Sequence, residues 1–286
     1  MIIWLASYPK SGNTWLRSLL CSYFFSKNGI FNFKQLENIQ QFSSRLNQTT
    51  DNKDSNYQNR VSKNWISTQE FINKDKKIHL MKTHNAMCTI NGNSFTNKYN
   101  TRACIYIVRD PRNVVTSISN HYNLGLPEAL DFIKNKKKII FPEKKILGKK
   151  NFADPKDFNF ISSWSDHYSS WKNISIFPIM ILKYEDLEKD TNKVFLSTLK
   201  FLSNFMKFDI DNKRVKNCID STNFETLKQM EDKEGFNETP DSFKGKNEKR
   251  FFHLGKKNNW RVLLDKKVSR DIEENFKKEM KFLGYL

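Results

Sequence analysis

The sequence predicts an α/β fold: a P-loop-like parallel β-sheet flanked by helices, built as a single domain with insertions. Three observations predict it. Four short apolar runs each end in polar residues, helical stretches separate them, and the first run feeds a loop of turn formers that opens directly into a helix. Strands buried on both faces read as continuous apolar runs, and a parallel sheet binds its ligand in the crevice at the carboxyl ends of its strands.

The first run, residues 2–7, is Ile-Ile-Trp-Leu-Ala-Ser. Turn formers Tyr8-Pro9-Lys10-Ser11-Gly12-Asn13-Thr14 follow, and apolar residues then recur at spacings of three and four over 15–25, predicting a helix. Over 31–77 the pattern dissolves into Asn, Gln, Ser and Lys, which predicts a partly helical, mobile insertion. Residues 78–84 and 103–108 give the next two strands, the second ending at Arg109-Asp110-Pro111. A helix is expected over 112–122, a Lys-rich excursion over 134–157 and a helix over 161–171. Residues 178–187 read as a fourth strand, 190–207 and 266–281 as helices, and 232–259 as a looser stretch bearing Gly and Lys. No internal repeat is present.

The length of 286 residues exceeds the usual domain mode of about 100–150, but no segment marks a linker, so one domain is expected. Hydrophobic residues at 38%, including 24 Phe, suffice for a core. The net charge of +18 ordinarily points to an anionic partner. Only ten of the 49 basic residues are Arg, however, and the 39 Lys accompany a chain-wide richness in Asn, Ile and Phe. Such scattered Lys, including the run over 134–150, reads as solvated surface, so no nucleic acid is expected as partner. Cys21, Cys88, Cys104 and Cys218 stand far apart, which indicates neither a zinc site nor a disulfide framework and suits a reducing compartment. The apolar residues 1–6 are too few for a signal sequence or membrane span, and a cytoplasmic location is expected.

The loop after the first run has the composition of a phosphate cradle. Backbone N–H groups at a helix start are unpaired and carry the positive end of the helix dipole. Gly12 permits close approach, Lys10 adds a full charge, and Ser11 and Thr14 offer hydroxyl donors. The alternative is an ordinary surface loop in which Ser11 and Thr14 cap the helix. The Walker A pattern GxxxxGK[ST] is absent.

The string from Tyr8 to Trp15 closely resembles the 5′-phosphosulfate-binding loop of the cytosolic-type sulfotransferases, with Asn13 where Thr is common. The resemblance continues through the chain. Lys82-Thr83-His84 is similar to a segment whose His deprotonates the acceptor, a role that suits an imidazole neutral near pH 7. Residues 105–117 resemble the 3′-phosphate motif, an Arg (Arg109) at a strand end with a Ser (Ser117) eight residues on. Tyr184 in Tyr-Glu-Asp and Thr222 in Ser-Thr-Asn-Phe stand where the family contacts the nucleotide. Residues 251–261 resemble the loop that closes over the 3′-phosphate, but His253 and Leu254 replace the usual Arg and Lys, and Asn258 replaces the second Gly.

The resemblance implies a sulfuryl transfer from 3′-phosphoadenosine 5′-phosphosulfate (PAPS) to a hydroxyl or amine of a small-molecule or glycan acceptor. It implies His84 as general base, Lys10 and Lys82 as charge stabilisers, and adenosine 3′,5′-bisphosphate as product; no metal is expected, since the sequence shows no carboxylate cluster suited to Mg²⁺. Donor contacts are implied for Lys10, Ser11, Gly12, Asn13, Thr14, Trp15, Arg109, Ser117, Tyr184, Thr222, Gly255 and Lys256. Segments 31–77 and 125–160 fall outside the resemblance and are expected to wall the acceptor side as insertions or lids. The rival readings are a nucleotide-dependent phosphotransferase (kinase) on a related fold and a basic nucleic-acid-binding protein. The family's short dimer motif is absent, which leaves the oligomeric state open.

Overall fold

The computed structural model describes residues 1–44, 56–141, 157–239, 243 and 250–286. In chain order the elements are β1 (Ile2–Ser7), α1 (Asn13–Phe25), α2 (Tyr57–Ile72), β2 (His79–Thr83), β3 (Thr89–Ile90), β4 (Asn93–Ser94), β5 (Thr101–Val108), α3 (Pro111–Tyr122) and α4 (Leu126–Lys134). They continue with β6 (Ile139–Ile140), β7 (Asn159–Phe160), α5 (Trp164–Lys172), β8 (Ile179–Lys183), α6 (Tyr184–Lys189), α7 (Thr191–Ser203), α8 (Asn212–Ser221) and α9 (Phe224–Glu234). Three helices close the chain: α10 (Trp260–Leu263), α11 (Lys266–Asn275) and α12 (Lys277–Leu283).

The central sheet runs β2-β1-β5-β8, all parallel. Ala6 pairs with Thr83, Ser7 with Ile107, and Val108 with Lys183, so the four strands end nearly level. The residues that follow β2, β5 and β8, namely His84, Arg109 and Tyr184, therefore emerge along one edge beside the loop that follows β1. The chain passes from β1 to β2 on one side and then crosses to β5 on the other, so this loop and Arg109 flank the switch point where such sheets open a crevice.

The strand pleat sorts the core into two layers. Trp4, Ala6, Cys104 and Tyr106 face one way and pack with Trp65, Phe95, Trp164 and Trp171. Ile3, Leu5, Ile105 and Ile107 face the other way, against Leu16 and Leu20 of α1 and Phe195 and Leu199 of α7. At roughly 25 cal/mol per Å², burial of such large side chains is the dominant favourable contribution to folding. The four cysteines are free thiols. Among the described residues no helix is long and apolar enough to cross a membrane.

The described parts of 31–77 are built into the core. Phe31, Leu36 and Ile39 enter one layer, and Phe42, Val61 and Trp65 the other. Asn56 caps α2 by accepting from the N–H groups of Gln58 and Asn59. Gln40 to Phe42 lie along the outer edge of β2, with Lys82 N–H donating to Gln40 O at 2.9 Å and Phe42 N–H to Lys82 O at 2.8 Å. Within 125–160, α4 packs its apolar face inward and β6 pairs with β7, while most of the Lys-rich excursion lies outside the described residues. Lys134 pairs with Asp271 at 3.0 Å.

Three expectations need correction. Residues 184–187 are not strand: the chain turns helical at Tyr184, where Glu185 and Asp186 in the first turn suit the positive end of a helix. The helix expected over 266–281 is two, broken at Phe276. Helices α8 and α9 went unpredicted, because their Lys, Asn and Glu content hides the few apolar positions, such as Val215, Cys218 and Leu227, that they bury.

Candidate active site

The strand ends open onto a cavity of about 540 Å³. The loop after β1 forms its floor. Lys10 takes a left-handed conformation at φ 66°, and Gly12, at φ 100°, caps α1 without any side-chain hydrogen bond. The first N–H groups of α1 are thus left for an external acceptor. A Cβ on Gly12 would lie 2.4 Å from the Tyr184 ring, so glycine here serves both the turn and a close ring contact. Asn13 turns inward: its Nδ2 donates to Leu5 O at 2.9 Å and Ser7 Oγ at 3.2 Å, tying the loop to β1.

His84 follows β2 and lines the cavity. Its Nδ1 lies 2.8 Å from Ser7 O, an acceptor only, so Nδ1 carries the proton and Nε2 keeps the lone pair. Burial, then the Lys82 charge, push the His84 pKa down to about 3, so the ring is neutral at physiological pH. The backbone of His84 is held in turn. Buried His167 donates from Nε2 to His84 O at 3.1 Å, and Tyr106 OH donates to His167 Nδ1 at 2.7 Å. Trp171 Nε1 donates to Asn85 O at 2.9 Å.

Cations gather around this histidine. Lys10 Nζ lies 3.4 Å from His121 Nδ1 and 3.9 Å from the centroid of the Phe251 ring. Desolvation and the charges of Lys10 and Lys82 push His121 down to about 2. Lys82 Nζ lies 3.3 Å from Glu238, whose carboxylate also binds Arg17 at 2.6 Å and accepts from Thr14 Oγ1 at 3.4 Å. Burial works to raise the Glu238 pKa, but Arg17 and Lys82 outweigh it and hold the carboxyl well below the usual range.

At the other end, the Arg109 guanidinium stacks on the Tyr184 ring, 4.0 Å from its centroid. Its Nη1 reaches Lys10 O at 3.4 Å and Ser117 Oγ at 3.5 Å. Burial raises the Tyr184 phenol to about 12, and that ring meets the Trp15 indole edge-on at 5.8 Å. The loop over 251–258 closes this end. Asn258 Nδ2 donates to Ser117 Oγ at 2.9 Å and Asn113 O at 3.0 Å, and its Oδ1 accepts from Thr116 Oγ1 at 2.5 Å. Gly255, at φ 53°, lies under the Phe224 ring, where a Cβ would come within 2.6 Å. Downstream, Trp260 stacks on Arg112, itself fixed by Asp110 and Glu273.

Of the residues singled out from sequence, Lys10, Gly12, Asn13, Thr14, Trp15, Lys82, His84, Arg109, Ser117, Tyr184, Gly255 and Lys256 line this one cavity. Two do not. Ser11 is buried beneath the loop, and Thr222 is buried with its hydroxyl on Cys218 O at 2.8 Å, closing α8 while Asn223 and Phe224 face the cavity. Arg17, His121, His167, Glu238 and the clamping role of Asn258 were not anticipated. Arg17 alone had a signal, standing one turn below Thr14 on the same helix face. Buried donors without partners among the described residues surround the site: Ser11 Oγ, Trp15 Nε1 and Arg109 Nε. Among those residues no group of three or more His, Cys, Asp or Glu is arranged to hold a metal ion.

Residues 2–284 match the sulfotransferase domain family. The chain is 27% identical to an amine sulfotransferase of Oryctolagus cuniculus over 64% of its own length and 56% of the relative's. It is 21% identical to a luciferin sulfotransferase of Photinus pyralis, over 78% of the chain and 56% of that protein. The chain thus spans just over half the length of these curated relatives. Its fold superposes on that of a mouse sulfotransferase complexed with PAP, with TM-score 0.58 and 21% identity, covering 97% of this chain and 83% of the other.

Proposed function

The chain belongs to the sulfotransferase domain family, and from that membership we propose that it moves the sulfuryl group of PAPS to a hydroxyl or amine of a small-molecule acceptor. The observation that carries the reading is the meeting, in one cavity, of an uncapped helix N-terminus, two lysines and a neutral histidine with its Nε2 lone pair available. The unpartnered donors Trp15 Nε1 and Arg109 Nε, on residues that line the cavity, are in keeping with a polyanionic nucleotide.

PAPS supplies the activated sulfuryl group, linked through a bridging oxygen to the 5′-phosphate. In our reading the start of α1, Lys10 and Thr14 hold the phosphosulfate end, and Arg109 and Ser117 hold the 3′-phosphate. Tyr184 and Trp15 present rings toward the nucleoside between them. His84 Nε2 takes the acceptor proton as the new bond to sulfur forms, and Lys10 neutralises charge on the bridging oxygen as the old bond breaks. Lys82 stabilises the sulfuryl oxygens. Such a transfer needs positioning and charge stabilisation more than covalent help from the protein.

The acceptor side of the cavity carries Tyr122, Ile140 and Phe141, an apolar lining that suits a small molecule over an extended glycan. The Oryctolagus and Photinus relatives, named for amine and luciferin sulfation, are in keeping with this class. Incubation with radiolabelled PAPS and a panel of phenols, alcohols and amines tests the proposal. Label transferred by the native chain but not by His84→Ala supports it, and absence of transfer to any hydroxyl or amine opposes it.

A further inference from the structure

Arg17 and Lys82 are buried cations, with side chains 4% and 11% exposed, that converge on Glu238, Lys82 from the cavity lining and Arg17 from behind it. Thr14, one helical turn from Arg17, adds a hydroxyl donor to the same point. Two buried positive charges side by side require an anion, since neither water nor any neutral group balances their desolvation. Glu238 supplies it, with Oε1 on Arg17 at 2.6 Å, and with Oε2 3.3 Å from Lys82 Nζ and 3.4 Å from Thr14 Oγ1. This carboxylate comes from a turn that follows α9 and Gly235, at φ 72°. It reaches into the cavity from a different part of the chain than the three donors.

We propose that Arg17, Lys82 and Thr14 form a tetrahedral-oxyanion site for the sulfuryl group of the donor, and that Glu238 is the internal anion the donor expels from it. The inference rests on the donor reading above and adds a residue, Arg17, and an exchange step to it. Three convergent donors match the three terminal oxygens of a sulfuryl group better than the two oxygens of a carboxylate. Exchange of one anion for another keeps both cations neutralised throughout. Glu238 thereby keeps Arg17 and Lys82 placed in the empty protein and sets a threshold that only a comparably charged ligand crosses.

Inorganic sulfate is the probe, titrated by calorimetry into the full chain and into Glu238→Gln and Glu238→Ala. Removal of the competing carboxylate is expected to tighten sulfate binding by roughly tenfold or more, the scale of one charge-assisted hydrogen bond. Adding Arg17→Gln to Glu238→Gln is expected to abolish that gain. Equal or weaker sulfate binding in the folded Glu238 variants overturns the proposal. A second arm needs no folded variant for its readout: in the native chain the carboxyl carbon resonance of Glu238 is followed by NMR. Saturating sulfate is expected to move its titration up toward the ordinary glutamate range, and an unchanged titration overturns the proposal. Because sulfate carries no nucleoside, the two readings fail separately. A sulfate effect without binding of adenosine 3′,5′-bisphosphate sinks the donor reading, and bisphosphate binding without the sulfate effect sinks this one.

Discussion

The Nδ1 of His84 lies 2.8 Å from the carbonyl oxygen of Ser7, so the last residue of β1 sets the tautomer of the first residue after β2. The parallel pairing of Ala6 with Thr83 creates this contact, which makes the protonation pattern of the His84 ring a consequence of strand register.

In the proposed reaction His84→Ala removes the proton acceptor and is expected to leave the nucleotide contacts in place. The turnover rate is expected to fall by roughly 10²–10⁴-fold, the usual range for loss of a general base. The dissociation constant for adenosine 3′,5′-bisphosphate is expected to change little. Rapid-quench transfer assays beside calorimetry separate the two, and an equal loss in both would assign His84 to binding.

His167 acts through the backbone of His84. His167→Phe leaves both the Tyr106 hydroxyl and the His84 carbonyl unpaired in a buried setting, a cost of about 2–4 kcal/mol in urea unfolding. As a positioning effect, turnover is expected to drop with bisphosphate affinity retained, and Tyr106→Phe is expected to fall between native and His167→Phe in both measures. Native stability in His167→Phe would remove the relay from the account.

Buried His167 and the half-buried His84 and His121 predict an early loss of stability in acid. Burial pushes His167 to about 3, and His84 and His121 lie at about 3 and about 2, all below the unfolded value of 6.5. The unfolded chain therefore takes up protons first. This stability is fully present above about pH 6.5 and falls as the pH drops toward about 3, by roughly 1.4 kcal/mol per pH unit for His167 alone. The depressed carboxyl of Glu238 acts in a lower window, below the ordinary glutamate value of about 4.5, while Glu185, raised by burial, works against the histidines above it, so a net loss of stability between about pH 6.5 and 4.5 is assigned to the histidines. A flat stability across that interval would contradict the burial of these rings.

Asn258 fastens the 251–258 loop to α3. Asn258→Ala frees Ser117, Thr116 and the Asn113 carbonyl at once, and bisphosphate binding is expected to weaken by about tenfold, with faster release. Surface plasmon resonance reads both, and an unchanged release rate would show that the loop does not hold the nucleotide.

Strands and their terminal residues were legible because buried parallel strands are written as continuous apolar runs, and the residue after each run falls on the ligand edge. The loop from Tyr8 to Trp15 was legible by its turn chemistry, whereas His84, Arg109 and Tyr184 were singled out by their resemblance to the family's motifs. The remainder depends on contacts between distant segments. Glu238 meets Arg17 across more than 200 residues, and His167 meets His84 across 83. No local pattern records such pairs. The placement of Thr222 was hidden for the same reason, since nothing nearby shows that its hydroxyl donates to Cys218 O. The Asn- and Lys-rich composition hid the buried positions of α2, α8 and α9, where single apolar residues such as Trp65 and Leu227 carry the packing.

On the proposed reading this cavity distinguishes a nucleotide by its 3′-phosphate, through Arg109 and Ser117. Calorimetric titration with adenosine 3′,5′-bisphosphate and with AMP, on the native chain and on Arg109→Ala, tests it most directly. The bisphosphate is expected to bind roughly 100-fold tighter than AMP to the native chain, as loss of a desolvated charge pair implies, and the preference is expected to collapse in the variant. Equal binding of the two nucleotides to the native chain, or a preference that survives in Arg109→Ala, would contradict it.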